Sequence, residues 1–296
     1  MADFPPLNSP RRMPLAIPNP GWLQDHRFLG QAVLPGVWAL EQLARTVGRA
    51  FPEVALTCCT TVRFEKFLTL PPDIEEIDAV VDLAPLSDGL VEAVLLTRHV
   101  APKSGIARMK PHARACFGLT GPADHDWPPE PLPIDSQRAV CEVAAERLYA
   151  EMVPFGDAFQ NIIAPVRLEA GGARTRVSGG RLADEGASLQ LGSPFPLDAA
   201  FHAACAWAQR FRGIVAFPVA LQQRLIRRPT RFGQGYEADI RFREEQDENL
   251  LFDLDLRDHD GRLYEIVRGL GMRDVSGGRL QPPDWIRTGS NEEVTR

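Results

Sequence analysis

The sequence predicts an α+β fold built as two similar halves. Three observations carry this. Two apolar helices are each preceded by proline, at Pro35 and at Pro194 and Pro196. Runs of alternating apolar residues read as antiparallel strands around each helix. Between the halves, residues 121–133 hold five prolines in thirteen positions, which excludes helix and central strand and marks a linker. An antiparallel sheet covering one helix is a stable two-layer arrangement. No residue-level repeat is visible, so the likeness between halves is one of architecture.

Taken in order, residues 1–20 carry several prolines and two arginines and read as an extended lead-in. They lack the apolar core of a secretory signal. The first unit spans 21–120. Its helix starts at Pro35, whose missing N–H costs nothing in a first turn. Val37, Leu40, Ala44 and Val47 form an apolar stripe, Leu43 widens it, and Gly48 is the expected end. Strands follow at 62–70, with Val62, Phe64, Leu68 and Leu70 on one face, and at 77–83, 90–100 and 112–119. The linker takes 121–135 and the second unit 136–275. That unit opens with a helix over 136–152 and a strand over 162–168. A second helix follows 193–196, its stripe being Phe201, Cys205, Ala208 and Phe211. Strands at 236–242 and 250–256 lead to the turn Asp258-His259-Asp260-Gly261, and 262–272 pairs back. Residues 276–296 read as a loose polar tail.

Composition narrows the function. With 44% hydrophobic and 24% charged residues, 296 positions can bury a large core. A net charge of −6 gives no basic footprint for nucleic acid. No apolar run is long enough to cross a bilayer. Five cysteines without CxxC spacing argue against a disulfide framework or zinc site and suit a reduced, cytoplasmic protein. The pair Cys58-Cys59 is expected in a strand, one thiol on each face. His99, His112, His125 and His259 lack partners in the pattern and read as surface or turn residues. Arg224, Arg227, Arg228 and Arg231 form a basic run that reads as a solvated face or as a dock for an acidic partner.

The stretch from His26 to Gly36 stands out. It sets one titratable group beside the N-terminus of a buried helix, where backbone N–H groups have no partner within the helix. Asp198 opens the second helix, where an aspartate is usually an N-cap, and His202 lies one turn later on the same face.

These residues resemble a known family. His26, Gly30 and Pro35 fit the HxxxGxxxxP motif of the dehydratase domains of polyketide synthases and related fatty-acid synthases. Asp198-Ala199-Ala200-Phe201-His202 resembles their DxxxQ or DxxxH motif, and Phe217-Pro218-Val219-Ala220-Leu221 the segment that follows it. Gly261-Arg262-Leu263 and Arg268-Gly269-Leu270 resemble the terminal hairpin. The likeness runs over 20–274. It implies a double hotdog, two helix-in-sheet units side by side, with His26 and Asp198 meeting in a shared tunnel. It implies dehydration of 3-hydroxyacyl groups held on the phosphopantetheine of an acyl carrier protein, with other synthase domains or subunits as partners and a homodimer as the common assembly. No metal or redox cofactor is called for. One segment departs from the family: Phe155-Gly156-Asp157-Ala158-Phe159 stands where Tyr-Gly-Pro-x-Phe is common, so a hydroxyl is missing and the loop shape changes.

The chemistry suits the pair. Loss of water from a 3-hydroxyacyl thioester needs a base for the proton beside the carbonyl, and a neutral histidine serves at pH 7. His26 is the expected base. Asp198, assisted by His202, is expected either to protonate the leaving hydroxyl or to orient it. N–H groups of Gly36 or Val37 are candidates to stabilise the thioester oxygen, and Phe155 and Gly156 to support the substrate. A thioesterase, a double-hotdog cyclase and a dehydratase-like scaffold weakened at 155–157 are the competing readings.

Overall fold

A computed structural model describes residues 10–86, 89–100, 105–118, 141–182 and 189–288. The proline-rich stretch 121–133 and His125 lie outside the described residues. The described chain begins with β1 (Arg11–Pro18), a short hairpin of β2 (Arg27–Phe28) and β3 (Gln31–Ala32), and helix α1 (Gly36–Ala50). Strands β4 (Cys58–Phe64), β5 (Glu76–Pro85), β6 (Val91–Val100) and β7 (Ala107–Phe117) follow. The second half opens with β8 (Cys141–Val143), one turn α2 (Ala145–Arg147) and a π-helical turn, Leu148–Met152. Next come β9 (Val166–Glu169), β10 (Gly172–Ser178), the long helix α3 (Phe195–Arg212) and β11 (Phe217–Ile226). Strands β12 (Gly235–Gln246), β13 (Asn249–Arg257) and β14 (Leu263–Arg273) and the short helix α4 (Asp284–Thr288) end the described chain.

All strands except β2 and β3 join one sheet of twelve, in the order β1-β5-β6-β7-β4-β11-β14-β13-β12-β10-β9-β8. The two halves meet where β4 pairs antiparallel with β11, Val62 opposite Leu221 and Cys59 opposite Arg224. The sheet wraps both helices. α1 packs on β5, β6 and β7, and α3 on β9 to β13. The predicted stripe of α1 is buried throughout, with Leu40, Leu43, Ala44 and Val47 at 0% exposure. Each such leucine contributes about 1.5–3 kcal/mol. α3 is buried on every side from Phe195 to Gln209, as its run of small apolar residues requires for close packing inside a sheet.

Several local expectations change. Gly48 lies within α1, which runs on to Ala50, and a side chain at that position would press on Leu56 of the following loop. The strand expected over 62–70 is two pieces. β4 ends at Phe64, and Leu68 and Leu70 instead pair with the segment before α1, through Leu34 N–H to the Leu68 carbonyl and Leu70 N–H to the Ala32 carbonyl, both 2.9 Å. Within the expected helix 136–152, residues 141–143 form β8 and the described helix begins only at Ala145. Of the expected strand 162–168, only the end is strand, in β9. Of the expected lead-in, residues 1–9 lie outside the described residues, and Arg11–Pro18 is a full sheet strand paired with β5, with Ile17 fully buried. In the tail, α4 packs on α3 with Ile286 at 0% exposure.

Cys58 and Cys59 do point to opposite faces, one in each of two separate apolar clusters. All five cysteines are free. Arg224 is not part of a solvated face. It is buried and makes two hydrogen bonds to Glu265, at 2.7 and 3.0 Å. His112 is buried too, with Nδ1–H donating to the Lys66 carbonyl at 2.9 Å and Nε2 2.8 Å from the Thr97 hydroxyl. No helix among the described residues is long and apolar enough to cross a membrane.

Candidate active site

The β2–β3 hairpin aims His26. Arg27 pairs with Ala32 and Phe28 with Gln31. The two residues between, Leu29 and Gly30, have φ of 49° and 80°. A two-residue hairpin needs this left-handed pair, and glycine takes it without strain. Val33 N–H closes the loop onto the His26 carbonyl at 2.9 Å, and the Val33 carbonyl lies 3.0 Å from His26 Nδ1. A carbonyl only accepts, so Nδ1 carries the proton and Nε2 keeps its lone pair. Burial lowers the His26 pKa below the ordinary 6.5, with nearby Asp198 pulling the other way and His202 adding to the lowering. The resting ring is neutral, with Nε2 available as a base.

Pro35 precedes α1 in an extended conformation, and its carbonyl receives the first helical N–H groups, those of Trp38 and Ala39. The N–H groups of Gly36 and Val37 come before these donors. Gly36 must lack a side chain, since a Cβ there would lie 2.8 Å from the Phe64 ring. Asp198 sits in the first turn of α3 without capping it. Its N–H bonds to the Pro194 carbonyl, and its carboxylate faces His202, Oδ2 to Nε2 at 3.1 Å. These two atoms are close but off the line of a hydrogen bond, and both are otherwise buried without a partner. Burial acts to raise the Asp198 pKa, yet His202 and then His26 outweigh it and hold the group below 3.8. Proximity to protonatable rings decides the sign, and the carboxyl is ionised at neutral pH.

Phe155 lies between the two histidines. Its ring stacks on His26 with centroids 4.4 Å apart and tilts against His202 at 4.9 Å. Phe159 meets the His26 ring edge-on at 5.1 Å. The segment is held by Asp25, the residue before His26. Gly156 N–H bonds to the Asp25 carbonyl at 2.9 Å, and Ala158 N–H to its carboxylate at 3.0 Å. Asp25 thus fixes the backbone of residues 156–158 against the segment that carries His26. A Cβ at Gly156 would overlap the Asp25 carboxyl group, whereas one at Gly21 would meet nothing. Gly156→Ala is expected to cost about 1–3 kcal/mol in denaturant unfolding, as overpacking does, and Gly21→Ala to leave that midpoint nearly unchanged.

His26, Gly36, Phe155, Asp198 and His202 line one cavity of about 960 Å³. Gly30, Pro35 and Gly156 do not line it; they shape the backbone behind it. Exposed Lys66, Arg273 and Arg279 border the same cavity on its solvent side, and none of the run Arg224, Arg227, Arg228 and Arg231 does. Among the described residues no three His, Cys, Asp or Glu side chains converge to hold a metal. The sequence reading missed Asp25 and Tyr149. Tyr149 is one of three tyrosines in the chain and stands between Leu148 and Ala150 in a segment of mixed polarity. A buried tyrosine needs a partner for its hydroxyl, and that was the available signal.

Residues 125–282 match the family model described as the polyketide synthase dehydratase N-terminal domain, and residues 13–96 the one described as the polyketide synthase dehydratase domain. The chain belongs to the polyketide synthase dehydratase family. Its solved relatives share the fold at low identity. An N-terminal dehydratase from the difficidin assembly line superposes with a TM-score of 0.70 at 15% identity, over 91% of this chain and 95% of that one. The dehydratase domain of a mycocerosic acid synthase-like polyketide synthase gives 0.69 at 20%, over 93% and 98%. The dehydratase domain from the CurF module of the curacin polyketide synthase gives 0.68 at 19%, over 89% and 92%. No curated protein matches the chain in sequence. The fold is the double hotdog of these dehydratase domains.

Proposed function

We propose that this chain removes water from a 3-hydroxyacyl thioester carried on an acyl carrier protein, giving the 2-enoyl thioester, alongside the other domains of a polyketide synthase. The observation that carries the reading is the placement of His26, whose Nδ1 lies 3.0 Å from the Val33 carbonyl and whose ring lines the same cavity as Asp198. With Nδ1–H given to the Val33 carbonyl and the ring held neutral, Nε2 is a base in a cavity that also holds an ionised aspartate. His26 Nε2 takes the proton beside the thioester carbonyl. The negative charge that develops on the carbonyl oxygen is met by N–H groups at the start of α1. The Asp198 carboxylate accepts the substrate hydroxyl's proton as a hydrogen bond and aims the C–O bond. As that bond breaks, the His26 imidazolium returns its proton to the departing oxygen, and water leaves. Of the two roles considered for Asp198, its ionised state favours the orienter. Of the mixed charges at the cavity's solvent side, which include Glu65 and Glu248, Lys66, Arg273 and Arg279 are the ones that suit the phosphate of a pantetheine arm.

The test is incubation with a 3-hydroxyacyl-pantetheine thioester and mass spectrometry of the products. Loss of one water supports dehydration, release of free acid points to a thioesterase, and no turnover across several chain lengths counts against the proposal. The pH profile adds an independent check. The base must be unprotonated, and burial puts the His26 pKa below 6.5. The rate is therefore expected to hold as pH falls through 6.5 and to decline only at lower pH. An acid limb with its midpoint at or above 6.5 contradicts the assignment of this histidine.

A further inference from the structure

Behind His202, away from the cavity, stands a tyrosine that the reaction scheme does not use. Tyr149 is 5% exposed and sits on the π-helical turn Leu148–Met152, which the Val153 N–H closes onto the Leu148 carbonyl at 2.9 Å. Wide turns of this kind often occur beside functional groups. The Tyr149 hydroxyl makes two polar contacts. It accepts the Ile162 N–H at 2.9 Å, and it lies 3.3 Å from His202 Nδ1. The two rings meet edge to face, with centroids 5.8 Å apart.

The proton on each atom follows from its neighbours. A backbone N–H can only donate, so the phenol oxygen receives there and its own hydrogen is free to point elsewhere. Nδ1 of His202 is the acceptor within reach. At the other end of the same ring, Nε2 lies 3.1 Å from Asp198 Oδ2. A bare lone pair there would oppose the carboxylate, and an N–H would attract it. One arrangement suits both ends of the imidazole, with Nδ1 accepting from the Tyr149 hydroxyl and Nε2–H on the Asp198 side, where proximity to the carboxylate favours it although the two atoms are not aligned as a hydrogen bond.

We propose that Tyr149 is a positioning residue that holds His202 as the neutral Nε2–H tautomer, so that a fixed N–H faces one oxygen of Asp198 and leaves the other for the substrate hydroxyl. A histidine without this partner would divide itself between tautomers and ring flips, and Asp198 would lose its orientation for part of the time. The Nε2–H tautomer also explains how the site works without the hydroxyl missing at position 155, because alignment comes from behind the aspartate rather than across the cavity. The proposal rests on the dehydratase reading for its kinetic consequence but not for the tautomer itself.

The experiment pairs nitrogen NMR of ring-labelled histidine in the intact protein with steady-state kinetics on the pantetheine thioester. In the unmodified protein His202 is expected as Nε2–H with Nδ1 unprotonated; an Nδ1–H tautomer or an imidazolium at neutral pH overturns the proposal without needing any variant. Tyr149→Phe is expected to mix the tautomers and to lower kcat by about tenfold, the worth of one hydrogen bond, with KM changed by less than about twofold. An unchanged tautomer and kcat in a folded Tyr149→Phe protein would also overturn it. Absence of turnover by the unmodified protein sinks the dehydratase reading instead, and the tautomer remains readable in that case.

Discussion

Replacing His26 by alanine is expected to slow water loss by about 10²–10⁴-fold, the usual contribution of a positioned base. That range corresponds to about 3–5 kcal/mol of transition-state stabilisation. The fold should survive the change. His26 is only half-buried, and the hairpin that carries it keeps its own backbone pairs, Arg27 with Ala32 and Phe28 with Gln31. The turn at Leu29 and Gly30 and the Val33 N–H bond to the position-26 carbonyl involve no imidazole atom. The measurement is kcat/KM on the pantetheine thioester beside a thermal melt of the same preparation. A melting temperature close to that of the unmodified protein with the rate nearly gone places the effect in chemistry. A variant within about threefold of the original rate would remove His26 from the mechanism, since so small a change is below any general-base contribution.

The largest stability effect is expected far from the cavity. Arg224 and Glu265 are 2% and 1% exposed at the side chain and meet through two guanidinium nitrogens, Nε and Nη2. Arg224→Met strands a buried carboxylate, and such a break costs about 3–5 kcal/mol. The double change Arg224→Met with Glu265→Leu removes both charges and is expected to recover most of that loss, because an apolar pair avoids the desolvation that the ions suffer. Denaturant midpoints of the two variants decide the matter. A single variant as mild as the loss of the exposed Arg12–Asp82 pair would show that water reaches the site. The pair has a near neighbour in Glu41 of α1, whose carboxylate accepts the Gln190 and Leu191 N–H groups at 2.9 and 3.0 Å. Burial raises the Glu41 pKa against those hydrogen bonds and the nearby arginines.

What was legible in the sequence was whatever rests on local period and punctuation. The stripe of α1, the small residues of α3 and the alternation of β12 and β13 depend only on neighbours a few positions away. The family spacing around His26 and Asp198 was legible for the same reason. What was not legible depends on residues distant in the chain. Leu68 and Leu70 keep the alternation of β4, but their partners are Leu34 and Ala32, so one apparent strand serves two pairings. Arg224 sits among arginines that look solvated, and only the approach of β14 buries it beside Glu265. His112 appeared isolated because Thr97 reaches it from β6 and Lys66 from the loop after β4. Tyr149 falls on a π-turn, whose wider winding breaks the helical period that a reading of 136–152 relies on. Asp25 was adjacent to the most conspicuous residue in the chain, yet its role appears only when residues 156–158 fold back against it.

The pairing of β4 with β11 has a consequence for how such chains can be recombined. Each half contributes one member of the His26 and Asp198 pair, and the backbone bonds that join them run through Arg63 opposite Ala220 and Thr60 opposite Gln223. Glu41 adds a second tie by reaching from the first helix to the backbone at 190–191. A chimera that takes one half from a relative must reproduce this register and this carboxylate as well as its own core. If the proposed roles hold, the smallest piece that can be transplanted with its chemistry intact is the joined pair, and a crossover placed between the halves, however convenient the proline-rich stretch makes it, separates the proposed base from its aspartate.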